Sequence, residues 1–293
     1  MSIPHTLALL CALGLAAGCA PQEPTPGRLA KPQEATSQAS AQTLETSLTF
    51  KRKGAVLKKA SVAQMAELSP MVSWSAYDPY YKKTKRWRTI PLEPVLRAMY
   101  PEPDAAAQEF LLRAADGYQV HMAGTQLFSK DVYLAVEDLE VPGWEPIGPQ
   151  KVNPGPLYMV WRGPDQQDQE AYARPWQLAQ IEQVSFADAF PKVVPTGKLG
   201  DPVVRKGYET FKAQCVRCHA INRQGGRVGP ELNVPQNITE YRPQAQIKAY
   251  IKNPKTFRYG NMPAFEHFDE PTLDALVAYL KVKATQKDWD PTQ

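Results

Sequence analysis

The sequence predicts two domains in tandem, a mixed α+β domain followed by an all-α domain, and three observations carry that prediction. Its 293 residues, 43% of them hydrophobic, suffice for two buried cores. From residue 44 to 197, short apolar and aromatic runs alternate with Pro- and Gly-marked loops, the pattern of strands with a few helices among them. From residue 198 to 293 the apolar residues recur at helical spacing.

Ahead of both, Leu7 to Gly18 is an apolar, small-residue run, and residues 1–18 read as an export signal. The run is shorter than the roughly 20 residues that cross a bilayer. Its end, Leu15-Ala16-Ala17-Gly18-Cys19, resembles the lipobox of bacterial lipoproteins. That resemblance implies a lipid on the Cys19 thiol; an ordinary cleaved signal without lipid is the alternative. Residues 19–43, rich in Pro, Gln, Ala, Ser and Thr, read as a disordered tether with a reach of about 25–30 Å. The resemblance places the chain on the periplasmic side of a bacterial membrane. Ala20, where many inner-membrane lipoproteins carry Asp, favours the outer membrane of a Gram-negative source.

Strand candidates in residues 44–197 are Ser47–Phe50, Val56-Leu57, Val132–Val136 and Leu157–Trp161. Helices are expected from Ser61 to Leu68, with Ser61 as N-cap, and from Leu92 to Met99 after Pro91. Pro142-Gly143, Asn153-Pro154-Gly155-Pro156 and Arg162-Gly163-Pro164 mark loops. A polar junction, Pro195 to Asp201, leads into helices expected at Val203–Ala213, Pro243–Lys252 and Pro271–Lys283.

Chemistry concentrates at Cys215-Val216-Arg217-Cys218-His219. In a Cys-x-x-Cys-His pattern the thiols add to haem vinyl groups as thioethers, and the adjacent His binds the iron from one side. One haem c is therefore expected, attached to Cys215 and Cys218 with His219 as axial ligand. A redox dithiol or half of a zinc site would use the same residues. A zinc site needs further ligands, and after His219 the chain offers only His267 and no Cys. A thioredoxin-like dithiol belongs near a βαβ pattern, whereas this stretch is helical. Cys11 and Cys19 belong to the signal and its end, so no pair is left for a disulfide.

Residues 200–285 resemble class I cytochromes c. Gly207 to Phe211 is similar to that family's first helix, which implies packing on the last helix with Tyr279 as partner. Gly229-Pro230-Glu231-Leu232 resembles its Gly-Pro-x-Leu element, which implies that the Pro230 carbonyl accepts a hydrogen bond from the far nitrogen of His219. Gly260-Asn261-Met262-Pro263 resembles its Met-Pro loop, which implies Met262 as second axial ligand; Met262 is also the only Met after the haem motif. His267 is the competing ligand. A His/Met pair leaves no open position on the iron and suits electron transfer rather than catalysis there.

The front domain resembles, in order and spacing, the molybdopterin-binding domain of sulfite-oxidase-type enzymes. The likeness runs along Pro91-Leu92-Glu93-Pro94-Val95-Leu96, Asp116-Gly117-Tyr118, Trp176-Gln177-Leu178 and Ile181-Glu182. Those enzymes hold molybdenum through a Cys thiolate, and no Cys lies between Cys19 and Cys215. Molybdopterin is therefore not expected, and the resemblance implies a related scaffold without its cofactor or with one bound in another way. Asp116 and His121 offer either an acid/base pair or a polar turn. Trp74, Tyr77, Tyr80, Tyr81 and Trp87 would line a ligand site, conduct charge or serve packing.

Residues 45–99 carry 11 Lys and Arg against 4 Asp and Glu, whereas residues 100–197 carry 6 against 14. Lys82 to Arg88 concentrates the positive charge, either as a solvated loop or as a docking site for an acidic redox partner or anionic lipid. No long basic run points to nucleic acid. The leading expectation is a lipid-tethered monohaem cytochrome, an electron carrier rather than a catalyst, whose front domain docks a redox protein or respiratory complex. Two alternatives are an oxidoreductase whose front domain oxidises a small substrate and passes electrons to the haem, and a haem-based redox sensor.

Overall fold

The computed structural model describes residues 39–290, so the expected signal, the lipidation site Cys19 and most of the tether lie outside the described residues. Local signals start several elements. Ser61 caps the helix Val62–Leu68 reciprocally, its hydroxyl accepting from the Gln64 amide at 3.2 Å while Gln64 Oε1 accepts from the Ser61 amide at 2.9 Å. The helix Leu92–Met99 follows Pro91 and buries Leu92, Val95, Leu96 and Met99 on one face.

The front region holds nine strands among the described residues: β1 (Ser47–Arg52), β2 (Ala55–Ser61), β3 (Val72–Asp78), β4 (Lys83–Pro91), β5 (Glu109–Ala114), β6 (Gln119–Ala123), β7 (Val132–Asp138), β8 (Tyr158–Trp161) and β9 (Leu178–Gln183). One sheet has the order β2-β1-β9-β5-β6 and is mixed, because β1 and β9 run parallel while its other pairs are antiparallel. The second, β3-β4-β7-β8, is antiparallel throughout.

Strand alternation distributes side chains among three cores. Phe50, Phe110, Leu112, Leu134 and Met159, drawn from both sheets, share one core with the Leu92–Met99 helix. On the opposite face of the antiparallel sheet, Tyr133, Ala135, Tyr158 and Val160 join Trp87 and Trp74. Leu111, between Phe110 and Leu112, faces the other way, into a core it shares with Phe186, Phe211 and Tyr279. Hydrophobic packing thus continues across the polar junction at residues 195–201, and the described residues form one compact unit.

Within the aromatic series Trp74 and Trp87 serve packing, Trp74 stacking on Tyr133 with ring centres 5.5 Å apart and Trp87 meeting Tyr158 edge-on at 6.1 Å, whereas Tyr77 is exposed. The Lys82–Arg88 segment needs a correction, because most of it is strand β4 and not a solvated loop. Lys85 is wholly buried and ion-paired with Asp138 (2.9 Å), Glu140 (3.0 Å) and Glu145 (3.0 Å). Arg88 pairs with Glu137 of the neighbouring β7 at 2.7 Å. Burial alone would lower the Lys85 pKa, but hydrogen bonds to Asp138, Glu145 and Glu140 outweigh it and raise it. The basic and acidic stretches of the sequence therefore meet inside the molecule, which removes Lys85 and Arg88 from any docking surface. Asp116 forms a polar turn, accepting from the Tyr118 amide at 2.8 Å, while His121 faces Glu109 at 3.5 Å.

Candidate haem site

The helix Pro202–Thr210 starts at Asp201, whose carboxylate accepts from the amides of Val203 (2.8 Å) and Val204 (3.3 Å). It crosses the helix Glu270–Ala284 at Gly207, where a Cβ would lie 1.9 Å from the Ala275 carbonyl oxygen; only glycine permits that approach. Tyr208 and Phe211 meet Tyr279 with ring centres 6.0 and 5.2 Å apart. The Tyr279 hydroxyl is anchored on the Val193 carbonyl at 2.8 Å.

The chain then widens into a π-helical turn over Phe211–Cys215 and reverses, with the amides of Cys218 and His219 both donating to the Cys215 carbonyl (3.1 and 2.9 Å). This turn sets Cys215, Cys218 and His219 on the wall of a cavity of about 510 Å³. Phe211, Leu232, Ile247, Ile251, Leu276 and Leu280 supply apolar walls, and Met262 lines the same space. Pro230 also lines it, and its carbonyl oxygen lies 2.9 Å from His219 Nδ1. A carbonyl can only accept, so Nδ1 carries the hydrogen and Nε2 keeps its lone pair for a metal. Gly229 makes the approach possible, since a Cβ there would lie 2.5 Å from His219 Cε1. Burial lowers the His219 pKa, which keeps the ring neutral and able to ligate.

Burial pushes the Cys215 thiol up to about 12 and the Cys218 thiol up to about 11. Both stay protonated near neutral pH, unlike the thiolate a redox dithiol employs. No cluster of three or more His, Cys, Asp and Glu side chains suited to a metal occurs among the described residues, so the zinc alternative finds no further ligands. His267 does not line the cavity; its side chain is 58% exposed and stands 3.4 Å from Glu170. Two thiols, an imidazole with a free Nε2 and a thioether around a largely apolar cavity form a donor set that fits a haem, and the volume lies in the usual range of cofactor pockets.

Sequence reasoning missed how closely the front domain attends this site. Gln119 donates from its main chain to the Arg217 carbonyl (2.9 Å) and from its side chain to the Gly225 carbonyl (2.6 Å). The Arg227 amide donates to the Gly117 carbonyl (2.9 Å), and Asn261, beside Met262, donates to Gln150 (2.6 Å). No local pattern announces such contacts, because the partners lie about a hundred residues apart. Glu231, the variable position of Gly-Pro-x-Leu, was also missed: its carboxylate ties the loop by accepting from the amides of Asn222, Arg223 and Asn233 at 3.0, 2.8 and 2.8 Å.

Residues 202–280 match the family model described as cytochrome c oxidase, cbb3-type, subunit III. Cytochrome c oxidase subunit 2 of Alkalihalophilus pseudofirmus is 29% identical over 89 residues, a match covering 28% of this chain and 26% of that protein. The C-terminal part of the chain is a cytochrome c domain, which implies haem and electron transfer.

Proposed function

We propose that the chain is a monohaem c-type cytochrome, anchored by a lipid on Cys19 to the periplasmic side of a bacterial membrane, where it relays single electrons between redox partners. Cys215 and Cys218 hold the haem by thioethers, His219 and Met262 are its axial ligands, and Pro230 fixes the imidazole. When bound, the haem supplies a one-electron site. The protein's residues hold it, orient its ligands and exclude water from it. The front domain is a molybdopterin-type scaffold without its cofactor that docks the partner, and the relatives' names as oxidase subunits point to a respiratory one.

The observation that carries this reading is the 2.9 Å contact between His219 Nδ1 and the Pro230 carbonyl on the cavity that both cysteines and Met262 line. It orients a ligand toward the space that the thiols border. The test is a pyridine haemochrome assay and denaturing electrophoresis of protein produced with cytochrome c maturation factors. One haem per chain that stays attached on denaturation, and is lost in Cys215→Ala/Cys218→Ala, is expected. Haem that dissociates on denaturation overturns the reading.

A further inference from the structure

Arg217, a spacer between the two cysteines, carries a charge that haem attachment does not use. Its guanidinium leaves the haem loop and enters the front domain. There Nη2 donates to the Glu170 carbonyl (2.5 Å), Nη1 donates to the Gln169 carbonyl (3.3 Å), and the Tyr118 hydroxyl lies within hydrogen-bonding reach. Its Nε is buried without an acceptor. Arg217 makes no ion pair with any of the described residues: the Glu170 carboxylate turns to His267, and Asp116 turns to the Tyr118 amide. Burial pushes the Tyr80 hydroxyl up to about 12 and the Tyr118 hydroxyl higher still, so neither supplies a negative charge near neutral pH. The two hydrogen bonds from Gln119 fix the loop from which the side chain springs.

Arg217 is partly buried, and a cation held by carbonyl dipoles at a partly buried site is screened by salt less than one on the open surface. Iron gains a positive charge when it is oxidised, so a fixed cation nearby disfavours the oxidised state; nearby charge and burial are among the levers a protein has on a haem's potential. We propose that the front domain sets the haem's midpoint potential through Arg217, whose unneutralised guanidinium it holds against the attachment loop and which favours reduced iron. The proposal rests on haem attachment at Cys215 and Cys218.

The test is spectroelectrochemical titration of full-length wild type, Arg217→Gln and Arg217→Lys, each first shown by the haemochrome assay to carry haem. Arg217→Gln is expected to lower the reduced-to-oxidised ratio at a fixed applied potential about tenfold, equivalent to about 59 mV for one electron. Arg217→Lys keeps the charge and is expected to stay near wild type. The difference between wild type and Arg217→Gln is expected to persist in about 1 M salt. An unchanged potential in Arg217→Gln, or an equal fall in Arg217→Lys, overturns the proposal. Should Arg217→Gln lose its haem, Arg217→Lys decides alone: a wild-type potential supports the role of charge, and a clear fall overturns it. A wild type without attached haem would instead overturn the reading of the site, and the haemochrome assay shows that before any titration.

Discussion

The two regions of this molecule treat their buried cations differently. In the front domain, Lys85 is wholly buried yet has three carboxylates within 3.0 Å, those of Asp138, Glu140 and Glu145. In the C-terminal region, Lys283 is 2% exposed and, among the described residues, meets only the Val194 carbonyl (3.3 Å) and the Gln286 amide oxygen (3.0 Å). Arg217, partly buried, meets neutral oxygens alone among the described residues. A neutralised cation locks two strands in register, and its field ends at its partners. An unneutralised one either keeps its field, as a guanidinium must, or gives up its proton more easily, as an amine can.

The largest effect that would break this contrast lies at Lys85. Lys85→Met leaves Asp138 buried without its cation and is expected to cost about 3–5 kcal/mol in urea unfolding, because an uncompensated interior charge is strongly unfavourable. Lys85→Met/Asp138→Leu is expected to recover most of that loss. A single-variant cost below about 1 kcal/mol would mean that the cluster is solvated and the contrast false.

A smaller effect is expected at the haem loop. In Gly229→Ala the added Cβ, 2.5 Å from His219 Cε1, must displace the ring or the Pro230 carbonyl, at a cost of about 1–3 kcal/mol. Its signature is a changed haem spectrum alongside the lost stability. Unchanged spectrum and urea midpoint would contradict the geometry.

A third effect, seen as a pH dependence, lies at Lys283, whose pKa burial lowers to about 8. The unfolded chain holds this proton up to about pH 10.4, the ordinary lysine value. Between about pH 8 and 10.4 the unfolded state therefore binds more protons than the folded one, and this lysine makes stability rise with pH across that window. Lys283→Met is expected to remove that rise from urea midpoints measured over the same range. An identical slope in both proteins would contradict it.

These contrasts also mark what could be read before the fold was known. Cys215, Cys218, His219, Pro230 and Met262 belong to short motifs, and the structure brings them to one cavity. The helix starts at Ser61 and Asp201 follow from side chains that cap the first turn, and the start after Pro91 follows from the proline itself, which makes no capping hydrogen bond. Strand β4 was not legible, because its buried Lys85 and Arg88 look like surface charges until Asp138 and Glu137 arrive from 53 and 49 residues away. The side taken by Leu111 depends on which face of β5 meets the C-terminal core, and a run such as Phe110-Leu111-Leu112 does not say. Arg217 looked like a spacer, since its partners Gln169 and Glu170 lie in another part of the chain.

The most direct measurement of the central claim, a haem closed by His219 and Met262, is the near-infrared spectrum of the oxidised protein. A weak sulfur-to-iron band is expected in wild type and its loss in Met262→His. A wild type without the band, or a band that survives Met262→His, would contradict the claim.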